Sequence, residues 1–300
     1  MTFAADGIEG VAAIRAGKGE LVFLDLNMPN LDGYEVLQVI EQEALRCRVI
    51  VVSGDIQPEA RARVMQAGAE DFIRKPVDQA ALGPILARLG LDLPSAAVVP
   101  WDAGDIDVMD GLREVANVAM GRAGDLLARL LEVFVELPLP QVSLLESGEL
   151  QMALEHAAGN DGTSALCQGF IGGGIAGEAL LLLHDSSYDD LAALLHRDES
   201  LSDAAKIELL MDTASLLTGA CLNGLADQLD TSFSLSHPML LGERSQVSEM
   251  IRRNKENWRS VLTIELAFAI EHHNISANMM LLFADGSLPA IKKHLNYHVG

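Results

Sequence analysis

The sequence predicts two domains of different fold class, an α/β domain followed by an α+β domain. Residues 1–91 alternate continuous apolar runs with amphipathic helical segments, which is typical of a parallel, doubly wound sheet. Residues 107–300 contain two long helical segments and several alternating strands, and this combination indicates an antiparallel sheet packed against helices. Between them, residues 92–106 hold two prolines among small residues, so this stretch is predicted to be a linker.

The composition limits the classes of partner and location. With 21 Lys and Arg against 43 Asp and Glu, the formal net charge is −22, which argues against nucleic acid and anionic membrane as partners. Cys47, Cys167 and Cys221 lie far apart without a C-x-x-C pair, so neither a zinc site nor a disulfide framework is expected. No signal peptide is recognisable, and no apolar run approaches the roughly 18 residues of a spanning helix. We therefore expect a cytoplasmic protein.

Strands and helices of the first domain can be placed from their apolar patterns. The predicted strands are GELVFLDL, RVIVVSGD and EDFIRKPV. The helices that follow them are YEVLQVIEQEAL, EARARVMQAGA and DQAALGPILARLGL. The stretch before them, TFAADGIEGVAAIRAGKG, is predicted to hold one further strand and one further helix.

Polar side chains stand at the carboxyl ends of these three strands. Asp25 ends the first, Ser53 the second and Lys75 the third. The carboxyl ends of parallel strands meet at one edge of the sheet, where such folds carry their chemistry. Alone, each residue is typical of an ordinary turn. Together they can accept a phosphoryl group, bind one of its oxygens and balance its charge.

The segments LDLNMPNLDG, VVSGD and GAEDFIRKP, in this order, resemble a response-regulator receiver domain. The resemblance implies a flavodoxin-like sheet with strand order 2-1-3-4-5. It also implies that Asp25 is the phosphoacceptor, Ser53 the switch hydroxyl, Phe72 the switch aromatic and Lys75 the conserved lysine. A sensor histidine kinase is the partner that such a domain implies.

One part of the receiver pattern is missing from this sequence. In the family, an acidic pair on the first strand and helix binds Mg²⁺, and its position would fall before Met1. Of the usual Mg²⁺ ligands, only the Asp25 carboxylate and the Asn27 backbone carbonyl remain, too few for tight binding. The missing strand is a central one, so a sheet edge should be exposed. Either the gene starts upstream, which we favour, or this receiver has lost phosphorylation and serves in docking.

The second domain opens with a predicted long helix over residues 107–136. Its apolar stripe comprises Leu112, Ala116, Ala119, Ala123, Leu126, Leu127, Leu130 and Phe134. At about 100° per residue, Asp110, Glu114, Asn117 and Gly121 fall on the opposite side and are expected to face solvent. An isolated E-x-x-N pair is most often an ordinary solvated pair.

The same layout recurs 98 residues later, where Asp212 stands in the place of Glu114. The later equivalents of Asp110, Glu114, Asn117, Gly121 and Pro140 are Glu208, Asp212, Ser215, Gly219 and Pro238. The segment from Ile175 resembles the segment from Ile275 at nearly the same offset. Two copies of one helix-and-strand unit predict a pseudo-two-fold domain that arose by duplication, and not a solenoid.

The pattern D-x-x-x-E-x-x-N, followed after 22 residues by proline, resembles the signature of CheC-type chemotaxis phosphatases, including CheX and FliY relatives. The resemblance implies that Glu114 pairs with the lysine of a phosphorylated receiver and that Asn117 orients the attacking water. At the second site Asp212 is one methylene shorter than glutamate, and Ser215 has a hydroxyl instead of a carboxamide. The second site is therefore expected to be weak or silent.

These resemblances predict a phosphatase for the aspartyl phosphate of a CheY-like receiver, with no metal of its own. The 15-residue linker spans at most about 50 Å extended and nearer 20 Å as a coil, so a separate receiver is the expected substrate. The alternatives are a non-catalytic adaptor or phosphate sink, and a phosphatase regulated by its own receiver. An exposed face on the last strand and helix of the receiver is compatible with a homodimer.

Overall fold

The structure is a computed structural model. It describes residues 2–77, 79–90, 108–146, 148–150, 152–153, 163–184, 186–195, 202–241 and 260–297. The chain divides into two compact units, Met1–Asp105 and Ile106–Gly300, and the division falls inside the predicted linker. Each unit has its own core and is described by itself.

In the described residues of the first unit, four helices alternate with three strands. They are α1 (Gly7–Arg15), β1 (Leu21–Asp25), α2 (Gly33–Gln42), β2 (Arg48–Ser53), α3 (Pro58–Gln66), β3 (Asp71–Arg74) and α4 (Gln79–Arg88). The strands form a parallel sheet in the order β1-β2-β3, with Asp25 opposite Val52 and Ser53 opposite Arg74. This order corresponds to positions 3-4-5 of the predicted 2-1-3-4-5.

Apolar cores cover this sheet on both faces, as a doubly wound fold requires. Val49 and Val51 of β2 pack on one side with residues of α1, α2 and α3. Ile50, which points to the other side, packs with Ile85 of α4 and with Leu89, which directly follows that helix. The predicted strands and helices from Gly19 onward are therefore confirmed.

The start of the unit differs from the prediction. Residues 2–6 form no strand; Asp6 is instead the N-cap of α1, where its side chain accepts a hydrogen bond from the backbone N of Glu9. That bond, with a second from Asn30, lowers the pKa of the Asp6 carboxyl. Among the described residues β1 pairs with β2 alone, and Phe23 in its middle is 46% exposed. The exposed sheet edge is thus observed.

The second unit is an α+β domain, as predicted. Its described elements are α5 (Val108–Leu131), β4 (Val135–Glu136), β5 (Gln141–Glu146), β6 (Thr163–Gly172), β7 (Ile175–His184), α6 (Ser187–Leu194), α7 (Asp203–Gln228), β8 (Ser234–Leu235), β9 (Met239–Leu241), β10 (Ser260–Ile270), β11 (Ile275–Phe283), a 3₁₀ turn (Asp285–Ser287) and α8 (Leu288–Tyr297). The two halves repeat the sequence long helix, two short strands, hairpin and helix. The predicted duplication is visible in this order.

The antiparallel sheet joins the two halves by exchanging their edge strands. The strand order is β4-β10-β11-β7-β6-β8, with β5 also paired to β10 and β9 also paired to β6. The short strands of each half therefore pair with the hairpin of the other half. At the centre β7 and β11 pair with Leu181 opposite Met279, so the pseudo-two-fold axis passes between them.

Helices α5 and α7 pack against each other and against one face of the sheet. They cross closely at Gly224, where an added Cβ would lie 2.8 Å from the Cα of Ala119. The core between them and the sheet includes Leu112, Leu217 and Leu281. A smaller apolar cluster lies on the other sheet face and contains Leu150, Ala165, Cys167, Leu180, Leu182, Leu241, Val261, Met280 and Leu282.

This crossing gives a test of the helix packing. Gly224→Ala should lower the free energy of unfolding by about 1–3 kcal/mol, because the new methyl meets backbone that cannot move independently. Gly219→Ala on the same helix meets nothing within 4 Å and should be neutral or stabilise by up to about 1 kcal/mol. Urea unfolding of both variants by circular dichroism is the measurement. Equal effects of the two substitutions would contradict the close crossing.

Several boundaries in this unit differ from the sequence prediction. Helix α5 ends at Leu131, because Glu132 has φ of 55°, and the last two predicted helical residues form β4 instead. Leu126 and Leu130 were assigned to the core stripe but are 45% and 51% exposed. The sequence pattern of the segment ELQMALEHA indicates a strand, yet its described residues 149–150 and 152–153 are helical.

The remaining predictions for this unit have mixed outcomes. The glycines after β6 form a two-residue hairpin turn with positive φ at Gly173 and Gly174, as expected for that turn. The polar segment QVSEMIRRNKENWRSVL, residues 246–262, has a sequence typical of a loop or an edge strand. Its described part, residues 260–262, begins the interior strand β10, while Trp258 and the linker residue Trp101 lie outside the described residues.

Helix α7 is more apolar than the sequence analysis allowed. Over Ala204–Gln228 it is long and apolar enough to cross a membrane by length and composition, with a mean hydropathy of 1.3. Of its most apolar stretch, 56% is buried within the fold. Buried core helices of soluble proteins often have the same length and composition. A single such helix is weak evidence for a membrane span.

Candidate functional site

The first candidate site lies at the carboxyl ends of the three parallel strands. The ammonium of Lys75 donates to Oδ2 of Asp25 at 2.8 Å, and the backbone N of Lys75 donates to the carbonyl of Ser53 at 2.8 Å. The side chains of Lys75 and Asp25 are 14% and 26% exposed. The structure thus brings Asp25, Ser53 and Lys75 to one edge of the sheet, where the Asp25 and Lys75 side chains are partly open to solvent.

Ser53 is fully buried and belongs to a small polar turn. Its Oγ accepts a hydrogen bond from the backbone N of Asp55 at 3.0 Å, so the hydroxyl keeps its proton to donate. The carboxylate of Asp55 accepts from the backbone N of Gln57 at 3.0 Å. Sequence reasoning missed Asp55, although the Ser-x-Asp spacing after a strand is a recognisable turn signal.

Two more groups complete the surroundings. Phe72 is half-buried on β3, opposite Val51, at the flank of the core. The Tyr34 hydroxyl is buried and has no hydrogen-bond partner among the described residues. Its burial and the nearby Asp55 carboxylate both raise the pKa of Tyr34.

The described residues do not fit a tight Mg²⁺ site. Oδ1 of Asp25 accepts from the backbone N of Asn27 at 3.2 Å, and Oδ2 holds Lys75. In the described part of the chain no group of three or more His, Cys, Asp or Glu side chains could hold a metal ion. Asp25 and the Asn27 carbonyl alone leave most of an octahedral shell to water.

The second candidate site is the motif on α5, and the structure corrects its predicted exposure. Asp110 is exposed and pairs with Arg113, and Glu114 is exposed as predicted. Asn117 is only 4% exposed and Gly121 is buried, whereas both were expected to face solvent. The motif therefore presents its carboxylates at the surface and its carboxamide inside the fold.

Tertiary packing covers more than one side of α5. Helix α5 contacts α7, α8 and strands of the sheet, so more than one stripe of its surface is buried. On the side of Asn117, Leu137 lies so close to Gly124 that an added Cβ would be 2.7 Å from it. The link between β4 and β5 thus packs along the face that the helical period had assigned to solvent.

The equivalent residues on α7 face solvent, as the sequence predicted for the motifs on both helices. Glu208, Asp212 and Ser215 are all exposed, and Gly219 is partly exposed. An ion pair joins the two long helices beyond these residues, with Nη1 of Arg122 at 2.6 Å from Oδ2 of Asp227. The accessible motif is therefore the one with the altered residues.

Residues 1–87 match the family model of the response regulator receiver domain. The chain is 33% identical over 120 residues to protein-glutamate methylesterase/protein-glutamine glutaminase 3 of Geobacter sulfurreducens, which covers 40% of this chain and 32% of that protein. It is 41% identical over 73 residues to the probable C4-dicarboxylate response regulator DctR of Bacillus subtilis, covering 24% of this chain and 32% of that one. The chain thus spans about a third of the length of these relatives.

Solved structures similar to the larger part of the chain carry chemotaxis and flagellar names. Thermotoga maritima FliY matches with a TM-score of 0.47 and 14% identity over 65% of this chain and 98% of that one. The FliM middle domain from H. pylori matches with a TM-score of 0.44 and 14% identity, over 64% of this chain and 99% of that one. A CheC-like superfamily protein from Shewanella sp. PV-4 matches with a TM-score of 0.39 and 12% identity, over 57% of this chain and 97% of that one.

The first unit is therefore a receiver domain, the domain class of two-component signalling, and this resemblance is confirmed.

Proposed function

We propose that the chain is a chemotaxis-type signalling phosphatase that hydrolyses the aspartyl phosphate of a separate CheY-like receiver. The observation that carries the proposal is the D-x-x-x-E-x-x-N motif along α5, with Glu114 exposed one turn before Asn117. A carboxylate at that place can pair with the lysine that every such receiver holds beside its phosphoacceptor. Lys75, at 2.8 Å from Asp25, illustrates that arrangement in the chain's own receiver.

In this mechanism each residue has one task. Glu114 docks α5 on the receiver by a charge-assisted hydrogen bond to its lysine. The carboxamide of Asn117 both accepts and donates, so it can hold a water in line with the phosphorus–oxygen bond. The receiver supplies its own Mg²⁺, lysine and hydroxyl, so the phosphatase contributes positioning and forms no covalent intermediate.

The burial of Asn117 adds a requirement. At 4% exposure its carboxamide is covered in this structure, so the groups that cover it must move before it can reach a phosphoryl group on another protein. Loop displacements of this kind occur on microsecond to millisecond timescales, which are compatible with a signalling phosphatase. In the proposal, the chain's own receiver domain regulates this movement, so that both domains take part in the function.

The decisive experiment follows the acyl phosphate of each single-domain CheY-like receiver of the host, with and without the chain. Accelerated decay supports the phosphatase. No acceleration with any receiver supports the alternative function, a non-catalytic adaptor or phosphate sink. The covered carboxamide of Asn117 and the altered residues Asp212 and Ser215 are the observations that favour this alternative.

Replacing the docking carboxylate should affect binding more than turnover. Glu114→Ala is expected to raise KM by about fivefold with little change in kcat, because an exposed charge pair contributes on the order of 1 kcal/mol. Asp189→Ala, which removes an exposed carboxylate on α6, is the matched control and should change neither constant. A loss confined to kcat would show that Glu114 acts in the chemical step instead.

The remaining partners and conditions belong to the same proposal. A sensor histidine kinase would be the partner that phosphorylates Asp25. Toward the Mg²⁺ that receivers use, the described residues offer only the Asp25 carboxylate and the Asn27 carbonyl, which do not make a tight site. A cytoplasmic location agrees with a receiver domain and with the kinase as partner. The proposal includes a homodimer formed through the receiver domain. Analytical ultracentrifugation would test it.

A further inference from the structure

We propose that the exposed face of α7 binds a receiver domain without hydrolysing its phosphate. We define the α7 row as Glu208, Asp212, Ser215 and Gly219. The inference rests on the proposed function, because it assigns to the second helix the same class of partner. It goes beyond that function, because it gives the altered site a binding role of its own.

The first support is the position of the row. Asp212 and Ser215 stand at the spacing of Glu114 and Asn117, on the corresponding helix of the duplicated half. All three polar side chains of the α7 row are exposed, so a partner can reach them without any movement of the fold. On α5, by contrast, Asn117 and Gly121 are buried.

The second support is the character of the surface around the row. Ile207 is 45% exposed, and Met211 and Leu216 are partly exposed beside the row. Glycine at 219 leaves space for another backbone, since an added Cβ would meet nothing within 4 Å. Exposed apolar side chains with polar groups at their margin are typical of a protein-binding surface.

Charge complementarity identifies the partner. Glu208 and Asp212 present two carboxylates on one side of the helix, one turn apart. The strand-end face of a receiver presents a lysine ammonium, as Lys75 shows at 14% exposure beside Asp25. A receiver docked by this face would place its lysine against Asp212 and its phosphorylated aspartate near Ser215.

The same geometry explains why hydrolysis would not follow. Ser215 has one short hydroxyl, whereas a carboxamide holds an acceptor and two donors in one plane. A hydroxyl at that place can contact a phosphoryl oxygen but cannot reach past it to fix a water in line. The α7 row would therefore hold a phosphorylated receiver while its phosphate persists.

The test converts binding into catalysis on α7. In the full chain with Asn117→Ala, we add Asp212→Glu and Ser215→Asn and follow the acyl phosphate of a CheY-like receiver. These two changes lie at exposed helical positions, so they should leave the fold intact, which circular dichroism checks. We expect the decay rate to recover to within about tenfold of the wild-type chain. A folded variant without recovered activity overturns the inference.

Binding gives an independent measurement. The probe is a CheY-like receiver treated with beryllofluoride, which stands in for the phosphoryl group, titrated by calorimetry into the full chain. We expect loss of one binding site with Asp212→Lys and no loss with Asp189→Lys, a matched exposed acid. Unchanged binding after Asp212→Lys overturns the inference. If decay still depends on Asn117 in that case, the proposed function stands; if no receiver binds or loses phosphate, both fail.

Discussion

Replacing Asn117 by alanine is expected to reduce the acceleration of acyl-phosphate decay by about 10²–10³-fold, by analogy with removal of a single positioned polar group at an active site. The physical reason is that the receiver already provides the charges around the phosphate, so the chain's contribution is the placement of one water. The measurement is the single-turnover decay of a phosphorylated CheY-like receiver under saturating chain. Saturation separates loss of chemistry from loss of docking.

Two controls make this result interpretable. Asn117 is buried, so the folded fraction of the variant must be measured alongside its rate. Asp212→Ala removes the counterpart of Glu114 on α7. Because the α7 row is proposed to bind a receiver without hydrolysing its phosphate, this change should not slow the decay. If both substitutions reduced activity equally, the second site would be catalytic and not degenerate.

The placement of Asn117 shows where helical periodicity stops being informative. A period of 3.6 assigns one side of α5 to the core, and Leu112 and Ala119 obey it. The β4–β5 link and α8 contact the same helix from other directions, and neither contact can be derived from the helix's own sequence. The exposure of Leu126 and Leu130 has the same origin, since no described element covers that side of the helix in its last turns.

The receiver site was predictable for a simpler reason. Parallel strands deliver their carboxyl ends to one edge, so Asp25, Ser53 and Lys75 had to converge once the strands were assigned. The residues were found from strand ends alone, and the 2.8 Å contact between Asp25 and Lys75 agrees. Sequence analysis missed the strand-free start of the unit, because a short apolar stretch can equally precede a helix cap such as Asp6.

The second unit was predictable as a duplication but not as a sheet. Similarity at a fixed offset identified the paired helices and hairpins. It could not show that β4 and β5 pair with β10 of the other half, because antiparallel pairing is set by non-local contacts. This exchange makes the halves mutually dependent, so neither is expected to fold as a separate domain.

Replacing Gly33 by alanine is expected to lower the unfolding free energy of the first unit by about 3 kcal/mol, the largest stability effect we predict. An added Cβ would lie 2.4 Å from the carbonyl oxygen of Asp25 and 2.7 Å from the Cα of Leu26. Both are backbone atoms, and Gly33 itself donates its backbone N–H to the Leu26 carbonyl at 2.9 Å. Relief of the clash must therefore displace the end of β1, which carries Asp25, or the start of α2.

Hydrogen exchange can localise this effect to the receiver site. Peptides from β1 should exchange faster in Gly33→Ala, because the opening free energy of this strand falls with the stability of the unit. Gly83→Ala on α4 is the matched control: its Cβ would meet nothing within 4 Å, so exchange should stay the same or become slower. Unchanged protection of β1 in Gly33→Ala would mean that α2 can shift without carrying Asp25 along, and that the strand end and the helix start are not one rigid part of the site.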